Sequence, residues 1–286
     1  MPREASRLHL DIAAKLRDAG IDTAMLDGRM IIRHVTGLSD VDLIARPETP
    51  VCDAHIRQIN EMILRRETGE PVSRLIGYKE FFGRDFKVTS ATLDPRPDTE
   101  ILVETGLRLL SNRQAGRFLD IGTGTGAIAV TLLAERSFMT GVATDVSREA
   151  LEVCHRNACQ HGVDNRLELV CTNWADAVNG KFDLVVSNPP YIASLDLARL
   201  EPGVRNYDPQ VALDGGACGL DAYRPIFETA SDLIRTNGHL LVELGKGQHE
   251  AIIQIAEQQG LALVDCATGL IRDLAGIIRC AVFKVC

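Results

Sequence analysis

No apolar run in the 286 residues reaches the roughly 18 residues that a membrane-spanning helix needs. A transmembrane helix is therefore not expected. The eight cysteines, at 52, 154, 159, 171, 218, 266, 280 and 286, include no C-x-x-C pair. No Cys/His cluster has zinc spacing, so no metal is expected, and the thiols are expected to be reduced and mostly buried. Positive charge is also short. With 31 Lys and Arg against 39 Asp and Glu, the net charge is −8. A broad duplex-DNA or membrane surface needs clustered cations, so neither DNA nor a membrane is expected as a direct partner. The N-terminus has no apolar signal core, and Glu4 and Asp11 fit poorly with an organellar transit peptide. A cytoplasmic location is the expectation.

What remains is ordinary for a soluble globular chain: 45% hydrophobic and 24% charged residues. The length allows one large or two modest domains. Residues 3–20 carry Leu8, Ile12, Ala13 and Leu16 at helical spacing, and Gly20 stops them. Asp22 is placed to cap a second helix containing Met25, Leu26, Met30, Ile31 and Ile32. A third helix is expected over roughly 52–68, with Ile56, Ile59, Met62, Ile63 and Leu64. These make a small helical bundle, readable as a partner-recognition cap or as a structural appendage. Phe81 to Val88 reads as a hairpin with Gly83 near its turn. The expected division is 1–85 for the helical domain with its hairpin linker, and 86–286 for the second domain. In Pro95-Arg96-Pro97-Asp98-Thr99-Glu100, the prolines fix an extended loop, and Asp98 or Thr99 can cap the helix beginning at Ile101. Arg96 either binds substrate backbone or staples the two domains.

From residue 116 strands and helices alternate, the pattern of a doubly wound, mostly parallel sheet. The expected strands are Arg117 to Ile121, Thr140 to Asp145, Arg166 to Cys171, Phe182 to Ser187, Leu240 to Leu244, Leu261 to Cys266 and Gly276 to Val282. Helices are expected over Gly219 to Ile234 and His249 to Gln258. The first strand runs into Gly122-Thr123-Gly124-Thr125-Gly126, where glycine permits positive φ and close backbone approach to a ligand. Asp145, ending the second strand, is placed to accept from a ribose diol.

The fourth strand ends in Asn188-Pro189-Pro190-Tyr191. Two prolines can neither continue a ladder nor enter a helix interior, so the turn is stiff. It offers a rigid pair of acceptors, the Asn188 side-chain oxygen and the Pro189 carbonyl, beside the Tyr191 ring. That pair suits a planar –NH2 group. Holding both N–H bonds lets the delocalised nitrogen lone pair face an electrophile, and fixed acceptors stabilise the growing positive charge. The glycine loop alone fits NAD as well as S-adenosyl-L-methionine, since Gly122, Gly124 and Ala127 also satisfy G-x-G-x-x-A. The fourth strand decides: an amine-holding site beside a methyl donor is coherent, and a hydride partner is missing. Trp174, the single tryptophan, can flank an adenine ring.

These residues resemble the peptide chain release factor glutamine methyltransferases, the HemK/PrmC family. The resemblance covers nearly the whole chain. It takes in Gly69-Glu70-Pro71, Phe81 to Gly83, Pro95 to Glu100, Asp120 to Gly126, Asp145, Trp174 and Asn188 to Tyr191. It continues through Ala212 to Gly216, Gly219-Leu220, Glu243, Gln248 and Asp273 to Gly276. It implies a class I S-adenosyl-L-methionine-dependent methyltransferase sheet (α/β, doubly wound) with a small helical N-terminal domain. The implied reaction methylates the glutamine side-chain amide nitrogen of the Gly-Gly-Gln motif in class 1 peptide chain release factors; a monomer is the expectation. Carried over to this chain, Gly122, Thr123, Gly124, Thr125, Gly126, Asp145, Trp174 and Asn188 hold the cofactor. Asn188, Pro189, Pro190 and Tyr191 hold the glutamine, with Asn188, Pro189 and Tyr191 catalytic. Asp94, Asp208 and Asn173 depart from the family's usual residues. Asn173 keeps an acceptor for the adenine amine but loses the charge. The rivals are a glutamine methyltransferase of a ribosomal protein, an adenine-N6 nucleic-acid methyltransferase and a non-catalytic cofactor-binding scaffold. The acidic balance argues against DNA, and the Pro95–Glu100 and Ala212–Gly216 stretches favour the release factor branch.

Overall fold

The computed structural model describes residues 3–111, 115–265 and 269–286. The chain divides into two compact units: Met1–Tyr78 with Glu201–Tyr207, and Lys79–Leu200 with Asp208–Cys286. The hairpin, expected with the first domain, therefore falls from Lys79 onward in the second unit.

The first unit is helical. Its helices are Ala5–Asp18, Ala24–Thr36, Asp40–Ala45, Asp53–Glu67 and Val72–Ile76, joined by Pro202–Tyr207 from later in the chain. The apolar stripes anticipated from periodicity meet in one core of Leu8, Ile12, Leu16, Ile31, Ile32, Ile59, Met62 and Ile63. Gly28 lets the first two long helices approach closely, since a β-carbon there would lie 2.9 Å from Ile12 Cγ2. Asp22 does not cap: the helix starts at Ala24 after Thr23, which makes no capping bond. The helix Asp40–Ala45 was not anticipated, although Ser39 and Asp42 form a complete capping box before it.

The second unit is built on an eight-stranded sheet. In chain order its strands are β1 (Gly116–Ile121), β2 (Met139–Asp145), β3 (Leu167–Cys171), β4 (Phe182–Ser187), β5 (Ile234–Glu243), β6 (Leu261–Leu263), β7 (Leu270–Arg272) and β8 (Ile278–Val285). They lie in the order β6-β8-β5-β4-β1-β2-β3, with β7 also paired to β8. β1 to β5 run parallel, and β8 pairs antiparallel with β5, β6 and β7. The doubly wound, mostly parallel α/β sheet is thus present. Parallel strands covered on both faces are largely apolar on both, and every residue of β4 is buried, Asp183 and Ser187 included. Helices Glu100–Leu109, Ala127–Glu135 and Arg148–Gln160 contribute to the core on one face, and Tyr223–Leu233 and His249–Gln258 to that on the other.

Three sequence expectations shift. β6 ends at Leu263, and Cys266 lies outside the described residues. β5 starts at Ile234, where the helix had been expected to end, because Ile234 pairs with Phe182. The thiols are mostly on the outside: Cys154 and Cys280 are buried, but Cys52, Cys159, Cys171, Cys218 and Cys286 are exposed. No helix among the described residues is long and apolar enough to cross a membrane.

The topology places a site. The chain leaves β1 toward β2 and β3, then crosses back to lay β4 on the other side of β1. Ligands in such sheets bind beyond the strand ends where the order reverses. Ile121 is in register with Ser187, so Gly122 and Asn188 leave the sheet side by side.

Candidate active site

At the end of β1, Gly122, Gly124 and Gly126 have φ of 74°, 55° and 79°. The Gly122 and Thr123 N–H groups donate to the Thr144 carbonyl at 2.9 and 2.8 Å, turning the loop onto β2. Gly126 also needs its size, because a β-carbon there would sit 2.5 Å from Cys154 Sγ. Asp145 organises the neighbouring backbone: its Oδ2 accepts from Gly124 N–H and its Oδ1 from Ser147 N–H, each at 2.9 Å. Burial pushes the Asp145 carboxyl above its ordinary range, and the Ser147, Gly124 and Val146 N–H groups pull it back.

Asp120 lies beneath the loop, fully buried. Its Oδ2 accepts from the Thr123 hydroxyl at 2.7 Å, and its Oδ1 has no partner among the described residues. Burial pushes this carboxyl up to about 7. The sequence marked it only as the first residue of the Asp120 to Gly126 stretch, with no role of its own. Its burial is a tertiary fact.

A cavity of about 350 Å³ opens between these strand ends. Its walls include Gly122, Gly124, Asp145, Asn173, Trp174, Asn188, Pro189 and Pro190. Thr92, Leu93, Val211, Ala212, Asp214 and Asp221 complete much of the rest. The structure therefore brings together the glycine loop, the β2 acid, the tryptophan and the Asn-Pro-Pro turn. Trp174 is held by its backbone: its φ is 47°, and its carbonyl accepts from the Thr144 hydroxyl at 2.7 Å. Asn173 donates from Nδ2 to Asp176 at 3.3 Å.

Thr123, Thr125, Gly126 and Tyr191 are not on the cavity wall. The Thr123 hydroxyl is on Asp120, the Thr125 carbonyl accepts from Asn157 Nδ2 at 2.8 Å, and the Tyr191 hydroxyl donates to Glu243 Oε1 at 3.3 Å. These groups build the loop and the turn from behind.

The Asn-Pro-Pro-Tyr turn is gripped by the later Ala-Leu-Asp-Gly-Gly stretch. Ile192 N–H donates to Leu213 at 3.1 Å, and Gly215 N–H donates back to Ile192 at 2.8 Å. Gln248 Nε2 donates to the Tyr191 carbonyl at 3.0 Å. Asn188 donates from Nδ2 to the Thr99 hydroxyl oxygen at 3.1 Å. Its Oδ1 has no partner among the described residues. The Tyr191 hydroxyl donates to Oε1 of the buried Glu243 carboxyl, whose Oε2 has no partner among the described residues, and burial pushes that carboxyl up to about 7.

Thr99 thus does not cap the following helix, which has no side-chain cap at its start. Arg96 pairs with Asp208 at 2.5 Å, inside the second unit, and does not join the two units.

Comparison with known proteins gives the family. Residues 9–77 match the family described as "PrmC N-terminal domain", and residues 93–200 match "Methyltransferase small domain". The chain is 42% identical over 274 residues to the release factor glutamine methyltransferase of Agrobacterium fabrum, covering 94% of this chain and 93% of that one. The chain belongs to the release factor glutamine methyltransferase family. The Rhodospirillum rubrum member is 42% identical over 268 residues, covering 94% of this chain and 81% of the relative. Among solved structures, the fold is similar to the hMettl16 catalytic domain in complex with the MAT2A 3'UTR hairpin 6. There the TM-score is 0.57 and the identity 17%, over 81% of this chain and 82% of that one. As a member of its family this chain is a class I methyltransferase. Thr99, Asp120 and Glu243 do not line the cavity, and reading residue by residue gave none of them a role at it.

Proposed function

We propose that this chain methylates the side-chain amide nitrogen of the glutamine in the Gly-Gly-Gln motif of class 1 peptide chain release factors, with S-adenosyl-L-methionine as donor. The observation that carries the reading is the orientation of Asn188. Its amide nitrogen is engaged by Thr99, so its oxygen is the atom available at the cavity beside Pro189. Two acceptors on a rigid turn match the two hydrogens of a carboxamide –NH2.

The residues fit the cofactor. S-adenosyl-L-methionine supplies the methyl group as a sulfonium when bound. Gly122 and Gly124 have open space where a β-carbon would project, so backbone can approach a ligand there. Asp145 would accept from the ribose hydroxyls and Trp174 would cover the adenine, with Asn173 near its amine. Asn188 Oδ1 and the Pro189 carbonyl would hold the glutamine –NH2 with its lone pair toward the methyl carbon. Attack by that nitrogen would form the C–N bond as the donor's C–S bond breaks, with the sulfur leaving as a neutral thioether. The amide nitrogen then gives up one proton, to water. No strong base is needed, and the buried Glu243 does not line the cavity.

Recognition of the release factor is assigned to the helical unit. The enzyme acts in the cytoplasm as a monomer. Purified protein, S-adenosyl-L-methionine and a full-length class 1 release factor test this, with ribosomal protein and DNA in parallel. Peptide mass spectrometry should find one added methyl on the Gly-Gly-Gln glutamine. A methyl on the ribosomal protein or on adenine instead would overturn the substrate.

A further inference from the structure

Gln248 stands between the end of β5 and the helix His249–Gln258. It is bonded to Gly245 twice: its backbone N–H donates to the Gly245 carbonyl, and its side-chain Oε1 accepts from the Gly245 N–H, each at 3.1 Å. The side-chain Nε2 points the other way. It lies 3.0 Å from the Tyr191 carbonyl oxygen, 3.2 Å from that of Gly219 and 3.5 Å from that of Cys218. An amide –NH2 has two hydrogens, and here three acceptors surround them. Turned over, the amide would set Oε1 against three carbonyl oxygens and Nε2 against an N–H. Its orientation is therefore fixed by its surroundings. Two glycines cut the slot it occupies. A β-carbon at 245 would collide with Gln248 Oε1, and one at 219 with Nε2 and the Tyr191 carbonyl oxygen.

The Tyr191 carbonyl shares a peptide unit with the Ile192 N–H, which donates to the Leu213 carbonyl at 3.1 Å. A peptide unit is planar, so a bond at each end fixes its rotation. Pro189 and Pro190 have no N–H with which to anchor the turn themselves. The direction of their carbonyls is thus set from the turn's exit, and Gln248 holds one end of that exit peptide.

We propose that Gln248 is a positioning residue for methyl transfer: it ties the exit of the Asn-Pro-Pro-Tyr turn to the end of β5 and to the Cys218–Gly219 loop, and so aims the Pro189 carbonyl and Asn188 at the cavity. Gln248 itself does not line the cavity. Its part in the reaction rests on the proposed reading of the turn as the holder of the substrate amide. The clamp on the turn does not depend on that reading.

The test compares the full chain as wild type, Gln248→Leu and Gln248→Glu, with Gln248→Met replacing Gln248→Leu if that variant does not fold. Turnover and KM on the release factor, cofactor affinity by calorimetry and hydrogen exchange of the Ile192 amide are measured. Gln248→Leu keeps bulk and removes both donors. Its kcat should fall about 10²-fold, the scale of a reacting group displaced by about 1 Å, with both affinities nearly unchanged. The Ile192 amide should exchange faster while the amides of β4 keep their protection.

Gln248→Glu separates a donor from a packing element. Among three carbonyl oxygens the new carboxyl is held protonated beyond its ordinary range of about 4.3. Protonated, it donates in place of the amide; ionised, it repels the Tyr191 carbonyl. Its kcat relative to wild type should therefore fall about tenfold as pH rises from 5.5 to 8.5. Lys246, His249 and Glu250 flank the position in the chain, and dividing by the wild-type kcat at each pH removes their titration. Wild-type kcat in Gln248→Leu, or a ratio for Gln248→Glu that does not change with pH, would overturn the role. If the wild-type enzyme leaves the release factor unmethylated, the substrate reading fails, and the Ile192 amide still decides the clamp: faster exchange in Gln248→Leu supports it, and unchanged exchange refutes it.

Discussion

Gly215 lies directly against the turn that carries Asn188: a β-carbon at 215 would stand 2.7 Å from the Pro190 carbonyl oxygen and 2.9 Å from Tyr191 Cα. Neither neighbour is a flexible side-chain end. Gly215→Ala should therefore displace the Asn-Pro-Pro-Tyr backbone while leaving the distant sheet core packed. We expect kcat to fall about 10²-fold, as for a misplacement of about 1 Å. Steady-state kinetics beside a thermal melt checks this; full activity would mean that the turn tolerates movement.

In the proposed reading, Asn188→Ala removes a preorganised acceptor from the reacting nitrogen. Loss of one such group typically lowers kcat by about 10²–10³-fold. Cofactor affinity, measured by calorimetry, should change far less than the rate. Near-normal turnover would remove Asn188 from the chemistry.

Asp145→Ala should act on affinity. It deletes the acceptor of the Gly124 and Ser147 N–H groups as well as the acid facing the cavity. Hydrogen bonds to a charged group contribute about 1.5–3 kcal/mol, so the cofactor Kd should rise by about one to two orders of magnitude. Calorimetry with an unchanged Kd would refute the ribose role.

Stability should depend on pH in a definite direction. Asp120 and Glu243 both hold their protons up to about 7 in the folded chain, mainly because burial penalises the charged form. In the unfolded chain they ionise near about 4. Between those values the folded state binds more protons. The stability supplied by these two groups is thus complete below about pH 4, falls as pH rises, and is gone above about 7. Urea midpoints at pH 5 and pH 8 should show the decline. Asp120→Asn should flatten its share; an unchanged slope would mean that Asp120 is already ionised in the fold.

Much of this fold was legible because parallel strands buried on both faces are nearly continuously apolar. The run before Asn188 could hardly be anything else, and the glycine loop and Asp145 followed from the same alternation. Short elements escaped: β7 has three residues, too few for a periodic pattern, and Asp40–Ala45 is less than two turns. The deeper misses share one cause. Thr99 read as a helix cap because its sequence neighbours are helical, yet its hydroxyl meets Asn188, far along the chain. Asp120 and Glu243 are acids whose meaning comes from burial, and no local pattern reports burial. Trp174 was identified from its place after a strand, but its left-handed backbone was not, since tryptophan rarely adopts it.

The return of Glu201–Tyr207 to the helical unit bears on how such a protein can be recombined. That stretch lies between Asn-Pro-Pro-Tyr and the Ala-Leu-Asp-Gly-Gly clamp, yet it packs with Gly69 and Pro71. A graft of a foreign helical module at a single junction near residue 78 would leave Glu201–Tyr207 without the neighbours it packs on. An exchange of the N-terminal segment alone would therefore divide the first unit. Chimeras in this fold must carry both pieces together, and drift in one piece constrains the other across more than a hundred intervening residues of sequence.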